Sequence, residues 1–442
     1  MVAMSNIAMA SRAPSRTPSK PYSSSGDVVA AESLRGFRRS FFVAVGLAFR
    51  DHGASWPEPE RKVEFDFDTP VDRRGSDCIK WGKYTGRDVI PLWVADMDFA
   101  SPPPVLAALR ERVDHGVFGY GDAPRSLVGA VVESLRQDFD WHVDPAWIVW
   151  LPGLVTGLNV ACRAVGEAGD GVFTASPIYP PFFSAPHFSD RQVLSAPLVL
   201  ADGRWEWDFD AVAATLEQHP RTKLLLLCNP HNPVGRVFTR AELQEVARLA
   251  ERFDLVVCSD EIHCGLVLDP ARSHLPFAAL DKEAARRSIT LMAPSKTWNV
   301  PGLGCAFAVI PDAGLRRDFH TAMRGIVPHV NVLGYAATEA AYRHGEPWRR
   351  ELVAYLRANA KRVEAAVNAM PGLSTTTVEA TYLAWIDARG LGQENPAAFF
   401  EAAGVGLSDG RDFGAPGFVR LNFGCPRSTL DEALARMAKA AG

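Results

Sequence analysis

Between residues 171 and 310 short apolar runs bounded by turn residues recur along the chain. The runs are 171–175, 224–228, 255–258, 289–292 and 305–310. Helical patterns lie between several of them, such as 240–253, where Leu243, Val246, Ala247, Leu249 and Ala250 fall near one face. Thr239 followed by Glu242 gives that helix a capping-box start. Strands and helices alternating at this spacing imply an α/β chain with a mostly parallel sheet, covered by helices on both faces.

The chain's 442 residues allow two or three domains and a sizeable core. Its 47 Lys and Arg against 51 Asp and Glu leave a net charge of −4, which excludes a basic field for nucleic acid or anionic membrane. No apolar run approaches the roughly 20 residues a spanning helix needs, so an integral membrane protein is excluded as well. The long helical patterns at 348–370 and 429–441 read as part of a second, smaller domain. That domain is expected to comprise 61–112 and 345–442, around a large domain at 113–344. Residues 1–60 are expected to be a disordered or non-native extension. Residues 1–26 are rich in Ser, Ala and Pro, hold no Asp or Glu, and carry Arg12, Arg16 and Lys20. An apolar run at 41–49 keeps organelle targeting and a secretion signal open as alternatives. The seven cysteines are odd in number, scattered and without a CxxC pair, which fits reduced thiols in a cytoplasmic protein. A zinc site from Cys258, His263 and Cys264 matches no common ligand spacing.

Four of the apolar runs feed polar residues. The run 224–228 leads into NPHNPVG (229–235), 255–258 into SDEIH (259–263), 289–292 into APSKT (293–297), and 171–175 into SPIYPPF (176–182). In an open parallel sheet ligands bind outside the carboxyl ends of the strands. Tyr179, Asn232, Asp260, His263 and Lys296 therefore converge on one site. A lysine and an aspartate in such a crevice point to pyridoxal 5'-phosphate, which forms a Schiff base with lysine and needs an acidic partner for its pyridine nitrogen.

Residues from about 61 to 442 resemble the fold-type I pyridoxal-phosphate enzymes of the class I/II aminotransferase superfamily, and within it the MalY/PatB group of cystathionine β-lyases. The resemblance is carried by WVADMDF (93–99), FGYG (118–121), SPIYPPF, NPHNPVG, SDEIH, APSKTWNVPGL (293–303), AAYRHGEPW (340–348) and RLNFGCPR (420–427). It implies a large domain with a mostly parallel seven-stranded sheet sandwiched by helices, and a smaller α+β domain drawn from both chain ends. It implies Lys296 as the Schiff-base lysine and later the base at Cα, Asp260 on the pyridine nitrogen, Asn232 and His263 near the ring's phenolic oxygen, and Tyr179 stacked on the ring. The phosphate is expected at the helix start containing Leu154 and Val155, with Ser295 as a further donor. Tyr120 matches a tyrosine that reaches the phosphate in the neighbouring subunit, which implies a homodimer with shared sites. Arg420 is implied to clamp the substrate α-carboxylate, with Ala95 lining that pocket by its backbone. Asp96 and Asp98 read as structural turn residues. Gly304 departs from the family pattern, because many aminotransferases carry a phosphate-binding arginine eight positions after the lysine. The expected reaction is β-elimination from cystathionine or a related S-substituted cysteine, giving a thiol, pyruvate and ammonia. An aminotransferase of a small or aromatic amino acid and a non-catalytic regulatory protein on the same fold are the alternatives.

Overall fold

The computed structural model describes residues 65–442; the extension expected at 1–60 lies outside the described residues. Eight strands form the main sheet: β1 (Ile148–Leu151), β2 (Gly171–Ser176), β3 (Gln192–Ala201), β4 (Arg204–Trp207), β5 (Thr222–Cys228), β6 (Val256–Asp260), β7 (Ser288–Met292) and β8 (Ala306–Val309). Their order across the sheet is β1-β8-β7-β6-β5-β2-β3-β4. The pairs from β7 through β6, β5 and β2 to β3 are parallel, while β8 runs antiparallel between β1 and β7.

The eighth strand corrects the expected seven. β3 and β4 form an antiparallel hairpin around Asp202 and Gly203, which have φ of 47° and 76°. Two left-handed residues in a row are what a tight hairpin turn demands, and Asp-Gly supplies them at little steric cost.

β7 is buried at all five positions, as a strand covered on both faces should be. The helix Arg240–Arg252 crosses from β5 to β6, with both halves of the Thr239–Glu242 capping box formed. Leu243, Val246, Leu249 and Ala250 are its buried stripe. Register places the site: Cys228 lies opposite Asp260, and Asp260 opposite Leu291. β5, β6 and β7 therefore end at one level, and the polar segments that follow them share one edge.

A second hydrophobic core joins the two ends of the described chain, with Phe67, Leu92, Met97 and Val105 packed among Leu352, Leu356, Leu383, Leu421 and Leu434. A four-stranded antiparallel sheet lies there, with Leu383–Asp387 and Phe418–Asn422 paired at its centre. Ile90–Pro91 pairs in parallel with Val405–Gly406, anchoring the segment 93–97 that follows. Among the described residues no helix is long and apolar enough to cross a membrane.

Candidate active site

One cavity of about 870 Å³ is lined by Tyr179, Asn232, Asp260, His263, Ser295, Lys296 and Arg420, together with Ala95, Leu154 and Val155. The structure thus brings together every residue singled out from the sequence except Tyr120, which is fully exposed elsewhere on the surface.

Asp260 ends β6 and is buried. Burial pushes its carboxyl up to about 7, against the Ile262 N–H it accepts at 3.1 Å and the charge of Lys296. Lys296 follows β7 and keeps partial exposure into the cavity; its Nζ donates to the Ala95 carbonyl at 2.5 Å. Burial, reinforced by the Arg420 guanidinium, lowers the Lys296 amine from 10.5 to about 8. Burial first, then Lys296 and Arg420, holds the His263 imidazole well below its ordinary 6.5, so it is neutral at physiological pH.

Arg420 sits on the central strand of the small sheet, with Trp385 and Ser408 as its cross-strand neighbours. Its guanidinium donates to Asn232 Oδ1 at 3.0 Å, to the Trp93 carbonyl at 2.9 Å and to Ser408 Oγ at 3.2 Å, and lies 4.7 Å from the centre of the Phe413 ring. Burial lowers it to about 10, which leaves it charged at neutral pH. Because Asn232 Oδ1 is taken by Arg420, Nδ2 is the end of that amide left to donate.

The helix Leu154–Ala164 opens onto the cavity from Gly153, with no side chain capping its N-terminus and no acidic residue in its first turn. Its free N–H groups suit an anion. Gly304 also lines the cavity, at φ 54°, and a Cβ there would stand 3.1 Å from the Pro152 carbonyl. An arginine at this position would be strained in its backbone and crowded, so the glycine is built into the loop.

These features fit pyridoxal 5'-phosphate. An uncapped helix end faces the phosphate requirement, a weakly basic amine the aldehyde, and a buried carboxyl without a full counter-charge the ring nitrogen. His263 Nδ1 and Arg420 Nε, both buried, have no protein partner. Among the described residues no cluster of His, Cys, Asp and Glu is arranged for a metal, including Cys258, His263 and Cys264.

Asp96 and Asp98 pair within a charge cluster with Arg73 and Lys80, and Asp96 also lies near enough to Lys296 to favour its charged form. Asp98 accepts from Lys80 Nζ and Arg73 Nη1, each at 2.7 Å, and from Trp81 Nε1 at 3.0 Å, while Asp96 pairs with Arg73. Sequence reading missed Ser408, Trp93 and Tyr382. Tyr382 is fully buried, and its hydroxyl donates to the Ala95 carbonyl at 2.8 Å. No local pattern gives these three a role, even though Trp93 opens the WVADMDF segment, because each acts through a contact that spans hundreds of residues of sequence.

Comparison with known proteins places the chain among relatives. The family described as aminotransferase class I and II matches residues 87–437. The cystathionine β-lyase PatB of Bacillus subtilis is 37% identical over 387 residues, covering 85% of this chain and 99% of that protein. The crystal structure of OvoB is 52% identical with a TM-score of 0.83, over 85% of this chain and 99% of that one. Cystalysin from Treponema denticola, whose crystal structure contains a pyridoxal 5'-phosphate cofactor, is 32% identical with a TM-score of 0.81, over 85% and 98% of the two chains.

Proposed function

The chain belongs to the aminotransferase class I and II family, and from that membership we propose that it is a pyridoxal-phosphate-dependent carbon–sulfur lyase. Its reaction is β-elimination from cystathionine or a related S-substituted cysteine. The observation that carries this reading is the gathering of Lys296, Asp260, Arg420 and an uncapped helix N-terminus around one cavity. The cystathionine β-lyase names of its relatives favour elimination over transamination.

When bound, pyridoxal phosphate supplies an aldehyde that links to amines and a protonated ring that draws electrons from Cα. Backbone N–H groups at Leu154 and Val155, with the Ser295 hydroxyl, would hold its phosphate. Asp260 would keep a proton on its ring nitrogen, Asn232 Nδ2 and His263 would serve its phenolic oxygen, and Tyr179 would pack against its ring. Arg420 turns from its internal acceptors to the substrate α-carboxylate as a planar fork. Lys296 Nζ removes the Cα proton. The Cβ–S bond breaks, the departing thiolate takes up the proton that Lys296 removed and leaves as a thiol, and water hydrolyses the remaining enamine to pyruvate and ammonia.

Each site is completed in this reading by Tyr120 of a second copy of the chain. Tyr120, Phe118 and Val117 are exposed together, an apolar face that a homodimer would cover. We take the large body as 113–344, the small one as 61–112 with 345–442, and the location as cytoplasmic, in keeping with seven free thiols.

Incubating the loaded protein with cystathionine should release thiol and pyruvate in equal amounts. Loss of amino acid that depends on an added keto acid and frees no thiol would make the chain an aminotransferase instead.

The lowered Lys296 amine gives a second expectation. Only the neutral amine attacks an aldehyde, so the rate of pyridoxal phosphate uptake by stripped protein should rise about tenfold from pH 7 to pH 9 and then level off. Visible absorbance measures it. A rate still climbing beyond pH 10 would mark an ordinary lysine.

A further inference from the structure

The segment 93–97 presents a row of carbonyls, each held by a side chain from elsewhere. Arg420 and Ser408 donate to Trp93, Asn422 to Val94 and Asp96, and Asn299 to Met97. Ala95 is the member of this row that faces the lysine, and its carbonyl oxygen accepts twice, from Lys296 Nζ and from Tyr382 Oη.

Tyr382 is placed with unusual care. The preceding Thr381 has φ of 76°, a left-handed conformation that a β-branched residue adopts only at a cost. Thr381 is fastened there by its N–H to the Leu266 carbonyl and by Leu383 N–H to its hydroxyl. The result is a fully buried phenol set edge-on to His263, with ring centres 6.0 Å apart. Strain retained next to a site is informative because the surrounding structure must over-determine it.

We propose that Tyr382 is a positioning residue for Lys296: by sharing the Ala95 carbonyl with the amine, its hydroxyl fixes where that amine stands and how firmly its charged form is held. A carbonyl that already accepts from a phenol is a weaker acceptor for an ammonium. The amine released from the cofactor by substrate is thereby directed to one acceptor without being locked to it as a cation. The charged and titratable groups around the amine and the phenol are Arg420, Asp96, Asp260, His263 and Tyr179, and none of them donates to the Ala95 carbonyl.

The inference rests on Lys296 as the cofactor lysine, and the test separates the two. Tyr382→Phe keeps the ring against His263 and removes only the hydroxyl. Two readouts apply: the pH midpoint of pyridoxal phosphate uptake by stripped protein, and the kcat and KM of the loaded enzyme. The expected result is a midpoint displaced to higher pH by about half a unit or more and a kcat about tenfold lower, with KM within about twofold. Ser408→Ala, at the Arg420 end of the same row, should instead raise KM and leave the midpoint in place. An unchanged midpoint with unchanged kcat overturns the proposal. So does a rise in KM alone, or an equal midpoint shift in Ser408→Ala, since either makes Tyr382 a brace for the whole row. If wild-type protein takes up no cofactor, the reading of Lys296 fails first.

Discussion

Lys296→Ala is expected to release cofactor on gel filtration and to lower thiol production by about 10⁴-fold or more. Two contributions vanish together: the amine that holds the aldehyde covalently, and the base at Cα, which alone supplies about 10²–10⁴. Misfolding is not the cause expected. In the stripped protein Lys296 and Arg420 repel each other, and both are depressed by burial. Removing the amine relieves that repulsion, so the thermal midpoint of the stripped variant should equal or exceed that of wild type. Lys296→Arg sharpens the test, because it keeps a cation without offering a nucleophilic amine. Visible absorbance after desalting and a thiol assay read the two losses separately. A variant that retains cofactor and turnover would remove Lys296 from the chemistry.

The site was legible where a side chain sits just past a buried parallel strand. Asn232, Asp260 and Lys296 each follow an apolar run, and alignment of the strand ends at Cys228, Asp260 and Leu291 converts sequence order into proximity. Strands buried on both faces announce themselves as such runs. β3 alternates buried and exposed positions from Leu194 to Val199 and sits beside the sheet's edge, so no continuous apolar run marks it, although the Asp202–Gly203 turn lies next to it. Arg420 had no local signature; its position rested on resemblance, and its meaning depends on the small sheet carrying it to Asn232. Tyr382 and Ser408 were illegible for the same reason, since their partners at Ala95 and Trp93 are 287 and 315 residues away. Tyr120 differs again. It is exposed in the single chain, so the role proposed for it requires a second chain.

Asp260→Asn should separate cofactor capture from turnover. Asparagine keeps the shape and still accepts from the Ile262 N–H, but it carries no charge to hold a proton on the ring nitrogen. Breaking a buried charge pair costs about 3–5 kcal/mol, or roughly 10²–10⁴ in rate, if the pair is made most strongly as charge develops. Lys296 is untouched, so absorbance should show near-normal cofactor content while kcat falls by that factor. The stripped protein should show the opposite sign. With its carboxyl raised from 3.8 to about 7 in the folded state, Asp260 destabilises the fold as pH climbs between those values, because the unfolded chain ionises it freely. The stripped variant should therefore melt above wild type at pH 8, with the gap shrinking as pH falls and closing near pH 4. Cofactor should reverse the order at pH 8, by giving the wild-type carboxylate the cation it lacks. A variant with full cofactor and wild-type turnover would take Asp260 off the ring nitrogen. Identical melting at pH 8 and pH 4 would show that its carboxylate is not under strain.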